Sequence, residues 1–173
     1  MWLAWALVRT RLPNQILLIV LPLLLISSAA GIYQHLTNSN GVYAPFDKMD
    51  AFMQGQYRSN DVIIHSNKLS LLPAFYFNPN LPQVFIADTP GGPTDTLSPA
   101  TQKIIGVNSV PDLASVAAGA TRIWFIILTR SIDEYKAAGA VTHPQLQYLE
   151  NNYQLDLHKT MGGDEIYLFS RRP

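Results

Sequence analysis

Three polar clusters in this chain each follow a short apolar run. His65, Ser66, Asn67 and Lys68 follow Val62 to Ile64; Asp88 and Thr89 follow Val84 to Ala87; Thr129 and Arg130 follow Trp124 to Leu128. A β-branched run with a polar tail is how a buried parallel strand enters a loop. Open α/β sheets take their ligands beyond the carboxyl ends of such strands. His65 and Asp88 would form an acid–base pair there, because a neighbouring carboxylate orients and charges an imidazole. Lys68 and Arg130 would hold a phosphate or a sugar-linked anion, with Asn67 beside them. The plainer alternatives are that Asp88 caps its loop, His65 satisfies turn carbonyls and the two cations are solvated. The candidate ligand-binding set is therefore His65, Asn67, Lys68, Asp88 and Arg130, with no residue assigned as catalytic.

Other chemistries are excluded by type or spacing. The chain has no cysteine, so disulfides, thiolate zinc sites and cysteine nucleophiles are absent. His35, His65, His143 and His158 are far apart and show no metal-ligand spacing. His143, beside Pro144, reads as structural. Gly91-Gly92 lacks the lysine and helix start of a phosphate loop. Ser66 lacks the Gly-x-Ser-x-Gly surround of a hydrolase nucleophile. Twelve basic and twelve acidic residues cancel, so no basic field points to nucleic acid. Neither a metal nor a cofactor is implied.

The elements that must position the candidates read as an α/β domain over residues 45–173. Pro45 opens a helix whose apolar face is Phe46, Met49, Phe52 or Met53, and Tyr57. A strand starts at Asp61, and a helix through Phe77 contains Pro73. A second strand covers residues 83–87. Ser98 caps a helix that begins at Pro99 and closes at Gly106. A short helix over residues 111–118 precedes the strongest strand, residues 121–129, whose unbroken apolar run implies burial on both faces. Ser131 with Glu134, and Thr142 with Gln145, read as capping boxes of two further helices. The second helix runs through Asn152, with Leu146, Leu149 and Tyr153 on its face. Residues 154–160 alternate, with Leu155 and Leu157 on one side, and a turn at Gly162-Gly163-Asp164 leads back through residues 165–170. The expected fold is a three-layer α/β sandwich with a mainly parallel central sheet and a C-terminal β-hairpin.

Apolar residues make up 48% of the chain and charged residues 14%, where a soluble domain carries roughly a quarter charged. The excess lies near the start. Residues 16–33 carry no charge, and such a helix nearly spans a hydrocarbon core of roughly 30 Å. Residues 16–36 therefore read as a transmembrane helix and 37–44 as a linker. Residues 1–15 read as the end of a preceding membrane segment and a cytoplasmic basic turn. Arg9 and Arg11 are the only charges before Asp47, and the positive-inside rule puts them in the cytoplasm. The domain at 45–173 is then extracytoplasmic. A cleaved signal peptide ending near Ser28-Ala29-Ala30 and a buried soluble helix are the competing readings. The apolar octet before Arg9 argues against the first.

The run DVIIHSNKLSLLPAFYF, the strand QVFIAD with its Pro-Gly loop, RIWFIILTRSIDEY, HPQLQYLE and the final DEIYLFS together resemble a known C-terminal region. It belongs to bacterial GT-C superfamily glycosyltransferases of the dolichyl-phosphate-mannose-protein mannosyltransferase type. The resemblance is one of pattern and order over residues 45–170, with no short diagnostic motif. It implies a polyprenyl-phosphate-linked sugar donor and further membrane helices as partners, besides membrane lipid. It also implies that the catalytic acidic loop of such enzymes lies outside this chain, so that the chain alone is not catalytic. A membrane-anchored, non-catalytic binding or interaction module is the alternative.

Overall fold

The structure, a computed structural model, describes residues 14–37, 45–88 and 97–172. They divide between two compact units, residues 1–39 and 40–173. Among its described residues the first contains one helix, α1 (Asn14–Thr37), of 24 residues with Pro22 inside it. Leu18, Ile19, Leu21, Leu23, Leu25 and Ile26 of α1 point outward. Among the described residues no helix is long and apolar enough to cross a membrane.

The second unit is built on six strands in the order β3-β2-β1-β4-β6-β5. These are β1 (Asp61–His65), β2 (Gln83–Ile86), β3 (Asn108–Val110), β4 (Arg122–Leu128), β5 (Tyr153–Met161) and β6 (Asp164–Arg171). The pairs β1–β2, β2–β3 and β1–β4 are parallel. The pairs β4–β6 and β5–β6 are antiparallel. The α/β expectation with a C-terminal hairpin holds, and the sheet is mixed. β4 explains why. Ile123 to Ile127 are all fully buried, which requires layers on both faces.

Helices supply those layers. α2 (Phe46–Gln54) and α3 (Lys68–Phe77) lie on one face. There Met49, Met53 and Ala74 pack with Ile63, Trp124, Ile126 and Ile166. α4 (Pro99–Ile105) starts from Ser98, whose hydroxyl accepts from Thr101 N, and ends at Gly106 with φ +82°. That left-handed angle suits glycine. α5 (Leu113–Ala117), α6 (Thr129–Ala137) and α7 (Pro144–Asn152) give Leu113, Ile132, Leu146 and Leu149 to the core on the opposite face.

Several boundaries differ from the sequence reading. β3 is three residues of mixed polarity, too short for a periodic signal, and is fixed by pairing with β2. α6 begins at Thr129, directly from β4, and Ser131 caps nothing at its start. Glu134 of the supposed box instead meets Arg130 one turn back. α7 is capped by His143, whose Nδ1 accepts from Gln145 N, in place of Thr142. Tyr153 is the first residue of β5, and its hydroxyl donates to Ala117 O at 2.6 Å. A bulge between Leu155 and Leu157 flips the strand. Leu157 packs with the α2–α3 core and Leu155 lies on the opposite side. The Pro-Gly loop at 89–96 lies outside the described residues.

Asp61 ties the start of β1 to β4. Its Oδ2 accepts from Trp124 Nε1 at 2.9 Å and from Arg58 N at 3.0 Å. Arg122 stands 3.5 Å away. Removing the carboxylate strands a buried indole N–H, at a cost of about 1–3 kcal/mol. Asp61→Ala is therefore expected to lower the urea midpoint of the α/β unit clearly, and Asp61→Asn less. Near-UV circular dichroism of Trp124 reads the transition; an unchanged midpoint for Asp61→Ala would remove the anchoring role.

Candidate functional site

The candidate rim lies where the parallel strands end. β1 ends at His65, and the main chain continues to Ser66, whose N–H donates to Ile126 O of β4 at 2.8 Å. Asn67 is the N-cap of α3, and its Oδ1 accepts from Leu69 N and Ser70 N. β2 ends at Ile86, two residues before Asp88. Lys68 and Asp88 come together here, with the ammonium donating to Asp88 Oδ2. Arg130 does not join them. It sits in the first turn of α6, largely exposed, and pairs with Glu134.

His65 and Asp88 form no pair. The imidazole is fully buried. Its Nε2 lies 2.8 Å from Gln83 Oε1 and its Nδ1 3.2 Å from Ser70 Oγ. Gln83 is itself oriented, because its Nε2 donates to Asn78 O at 3.1 Å. Gln83 Oε1 can only accept, so Nε2 of His65 carries the proton and Nδ1 accepts. The Ser70 hydroxyl has one proton to share between Nδ1 and Asn67 O. Burial lowers the His65 pKa to about 4, against the smaller upward pull of Gln83. A neutral, enclosed imidazole cannot serve as the charged partner of Asp88. It joins β1 to β2 and to the first turn of α3.

The same end of the sheet holds polar atoms that find no partner: Ser66 Oγ, Gln145 Oε1 and both carboxylate oxygens of Asp164. Asp164 opens β6 opposite Leu128. Alternation with Ile166 and Leu168 puts it on the α2–α3 face. Burial, and then the charge of Glu165, raises its pKa to about 7.

Glu165 points the other way. Its Oε2 accepts from His158 Nε2 at 2.7 Å and from Thr160 Oγ1 at 2.8 Å, and its Oε1 from Thr129 Oγ1 at 3.0 Å. The His158 ring lies flat on Tyr167, centroids 4.4 Å apart. Burial, and then Glu165, pushes the Tyr167 hydroxyl up to about 12. These groups line an open cleft of about 380 Å³ beside α6 and α7, with Lys136 at its edge. The carboxylate is satisfied three times over, so it clamps the hairpin to the end of β4. The sequence reading missed this cluster. A hairpin turning at 162–163 sets Thr160 opposite Glu165 and His158 opposite Tyr167, so the register alone could have found it. Among the described residues no cluster of three or more His, Cys, Asp or Glu could hold a metal ion.

No protein-family model and no curated protein matches the chain. Two solved chains match. One is similar to this chain at 17% identity and a TM-score of 0.40, over 73% of this chain and 61% of its own length: the 16S rRNA methylase RmtB. This chain thus covers less than two thirds of that protein. A likeness of this size carries nothing about activity.

His65 and Asp164 give opposite pH dependences. The folded pKa of His65 lies below its unfolded value of 6.5. Its contribution is present above pH 6.5 and is lost as pH falls toward about 4. The folded pKa of Asp164 lies above its unfolded value of 3.8. Its contribution is present below that value and is lost as pH rises through about 7. The two slopes oppose each other over the shared window. Asp164→Asn is expected to leave stability rising with pH between about 4 and 6.5, and to raise the melting temperature at pH 8. His65→Gln is expected to leave stability falling up to about 7. Melting temperatures measured across this range check both; an Asp164→Asn chain with the parent profile would contradict the assignment.

Proposed function

We propose that this chain is a membrane-anchored extracytoplasmic α/β domain, of the kind that forms the C-terminal end of GT-C glycosyltransferases using a polyprenyl-phosphate-linked sugar. The observation that carries the reading is the uncharged run 16–33 directly ahead of a separate α/β unit. The outward apolar side chains of α1 support it. A hydrocarbon environment satisfies such a surface, and water does not. Arg9 and Arg11 on the N-terminal flank orient it, with residues 45–173 outside the cytoplasm. The order of elements from β1 through the hairpin fits the resemblance in residues 45–170.

The domain shapes the acceptor side of such an enzyme and does not perform the transfer. This part rests on how the candidate residues are spent. His65 is enclosed between Gln83 and Ser70, Asn67 caps α3, and Asp88 accepts from Lys68. A base that must take a proton from an acceptor has to reach it, and the enclosed His65 cannot. The remaining membrane helices of the transferase, which hold the donor and the acidic loop, are the partners. A non-catalytic, membrane-anchored interaction module is the second reading, favoured by an exposed apolar face on α3.

Two measurements test the proposal. Alkaline phosphatase fused after Pro173 is expected to be active, and β-galactosidase at the same point inactive. The reverse pattern would overturn the topology. The full chain in detergent, given polyprenyl-phosphate mannose and an acceptor peptide, is expected to transfer no sugar, and His65→Ala to change nothing. Transfer by this chain alone, abolished by His65→Ala, would make it an enzyme in its own right.

A further inference from the structure

Two histidines of the α/β unit are spent differently. His65 is enclosed, and both of its ring nitrogens have protein partners. His158 uses one nitrogen, Nε2, which stands 2.7 Å from Glu165 Oε2. An ionised carboxylate only accepts, so Nε2 carries the proton and Nδ1 keeps its lone pair. Among the described residues nothing bonds to that Nδ1. The ring is held in place by the Glu165 bond and by the Tyr167 ring on which it lies flat. Yet 44% of the His158 side chain is exposed. Glu165 is held in turn by the hydroxyls of Thr129 and Thr160, so the carboxylate positions the imidazole and does not depend on it. A carboxylate-oriented imidazole with one nitrogen unused is the form in which histidine accepts from a ligand.

The surroundings state what such a ligand must be. His158, Glu165 and Tyr167 line the cleft of about 380 Å³ together with residues of α6 and α7. Small-molecule sites begin at roughly 300 Å³. Ile132, Leu146 and Leu155 give the cleft its apolar part, and Thr142 adds a hydroxyl from the segment between the two helices. Its other charges are Asp133, Lys136 and Glu150, none of them in an ion pair among the described residues. With Glu165 that makes three carboxylates against one ammonium, so an anion is repelled. The Tyr167 hydroxyl feels the same field: after burial, the charges of Glu165 and Glu150 push it up to about 12. Lys136 in the same cleft tells against a plain cation and needs an acceptor on the ligand. A ligand that donates to several acceptors and accepts from one ammonium carries hydroxyl groups. We infer that this cleft binds a neutral polyhydroxylated molecule of monosaccharide size, one hydroxyl donating to His158 Nδ1 while Glu165 positions the ring. The site lies wholly within the α/β unit, so the inference is independent of the membrane anchor.

The test uses the full chain in a detergent without a sugar headgroup. Methyl glucoside and methyl mannoside are the probes, with methylammonium and inorganic phosphate as competitors, and saturation-transfer NMR reads binding. At least one glycoside is expected to bind saturably, and neither ion to displace it. His158→Ala is expected to abolish the signal and Glu165→Gln to weaken binding several-fold, with near-UV circular dichroism unchanged. Thr142→Val lies outside the Glu165 clamp and is expected to weaken binding as well, which keeps the test valid should alanine at 158 loosen the hairpin. In the nitrogen-15 spectrum of labelled histidine, His158 is expected as the Nε2–H tautomer, its Nδ1 resonance moving as glycoside is added. No binding of either glycoside, or equal binding by the parent, His158→Ala and Thr142→Val, overturns the inference. So does an Nδ1–H tautomer. Displacement of the glycoside by methylammonium would show a cleft that reads positive charge, which overturns it too.

Discussion

β4 is the strand on which the α/β unit depends. It has a parallel neighbour, β1, on one side and an antiparallel one, β6, on the other. A strand so placed has both edges hydrogen-bonded, and Ile123 to Ile127 leave no side chain in water. Such a strand must be covered on both faces, because each apolar side chain that reaches water forfeits its burial free energy. The two helical layers follow from that requirement. So does the Trp124–Asp61 bond, which gives the one polar side-chain atom of this buried run a partner.

The same burial governs the rim. Polar groups at the strand ends sit where water is excluded, so each must find a partner or shift its protonation. His65 finds Gln83 and Ser70 and stays neutral. Asp88 finds Lys68. Asp164 finds none and holds its proton close to neutral pH. Residues whose types suggest acid–base chemistry are here mostly joints between elements. The His158–Glu165 pair extends the pattern, since its carboxylate gathers donors from β5 and from the first turn of α6.

The two apolar surfaces that remain are of another kind. α1 turns leucines and isoleucines outward, and α3 leaves Leu69, Tyr76 and Phe77 exposed. Neither is covered by the described residues of its own unit.

What the sequence determined by itself was local. The apolar run of β4, the alternation of helices with strands, the Ser98–Gly106 helix and the tight turn after Met161 each depend on neighbours within a few residues. The uncharged run at 16–33 is equally local. What only the tertiary structure decided was pairing between distant segments. β3 exists because β2 offers it an edge. The bulge in β5 parts Leu155 from Leu157, which simple alternation had put together. Asp88 meets Lys68 instead of His65, and Glu165 collects three donors, because register and two-sided burial bring those atoms within hydrogen-bonding distance. Periodicity reports which way a side chain points; it carries no information about what stands opposite, and that is set by the packing of the whole chain.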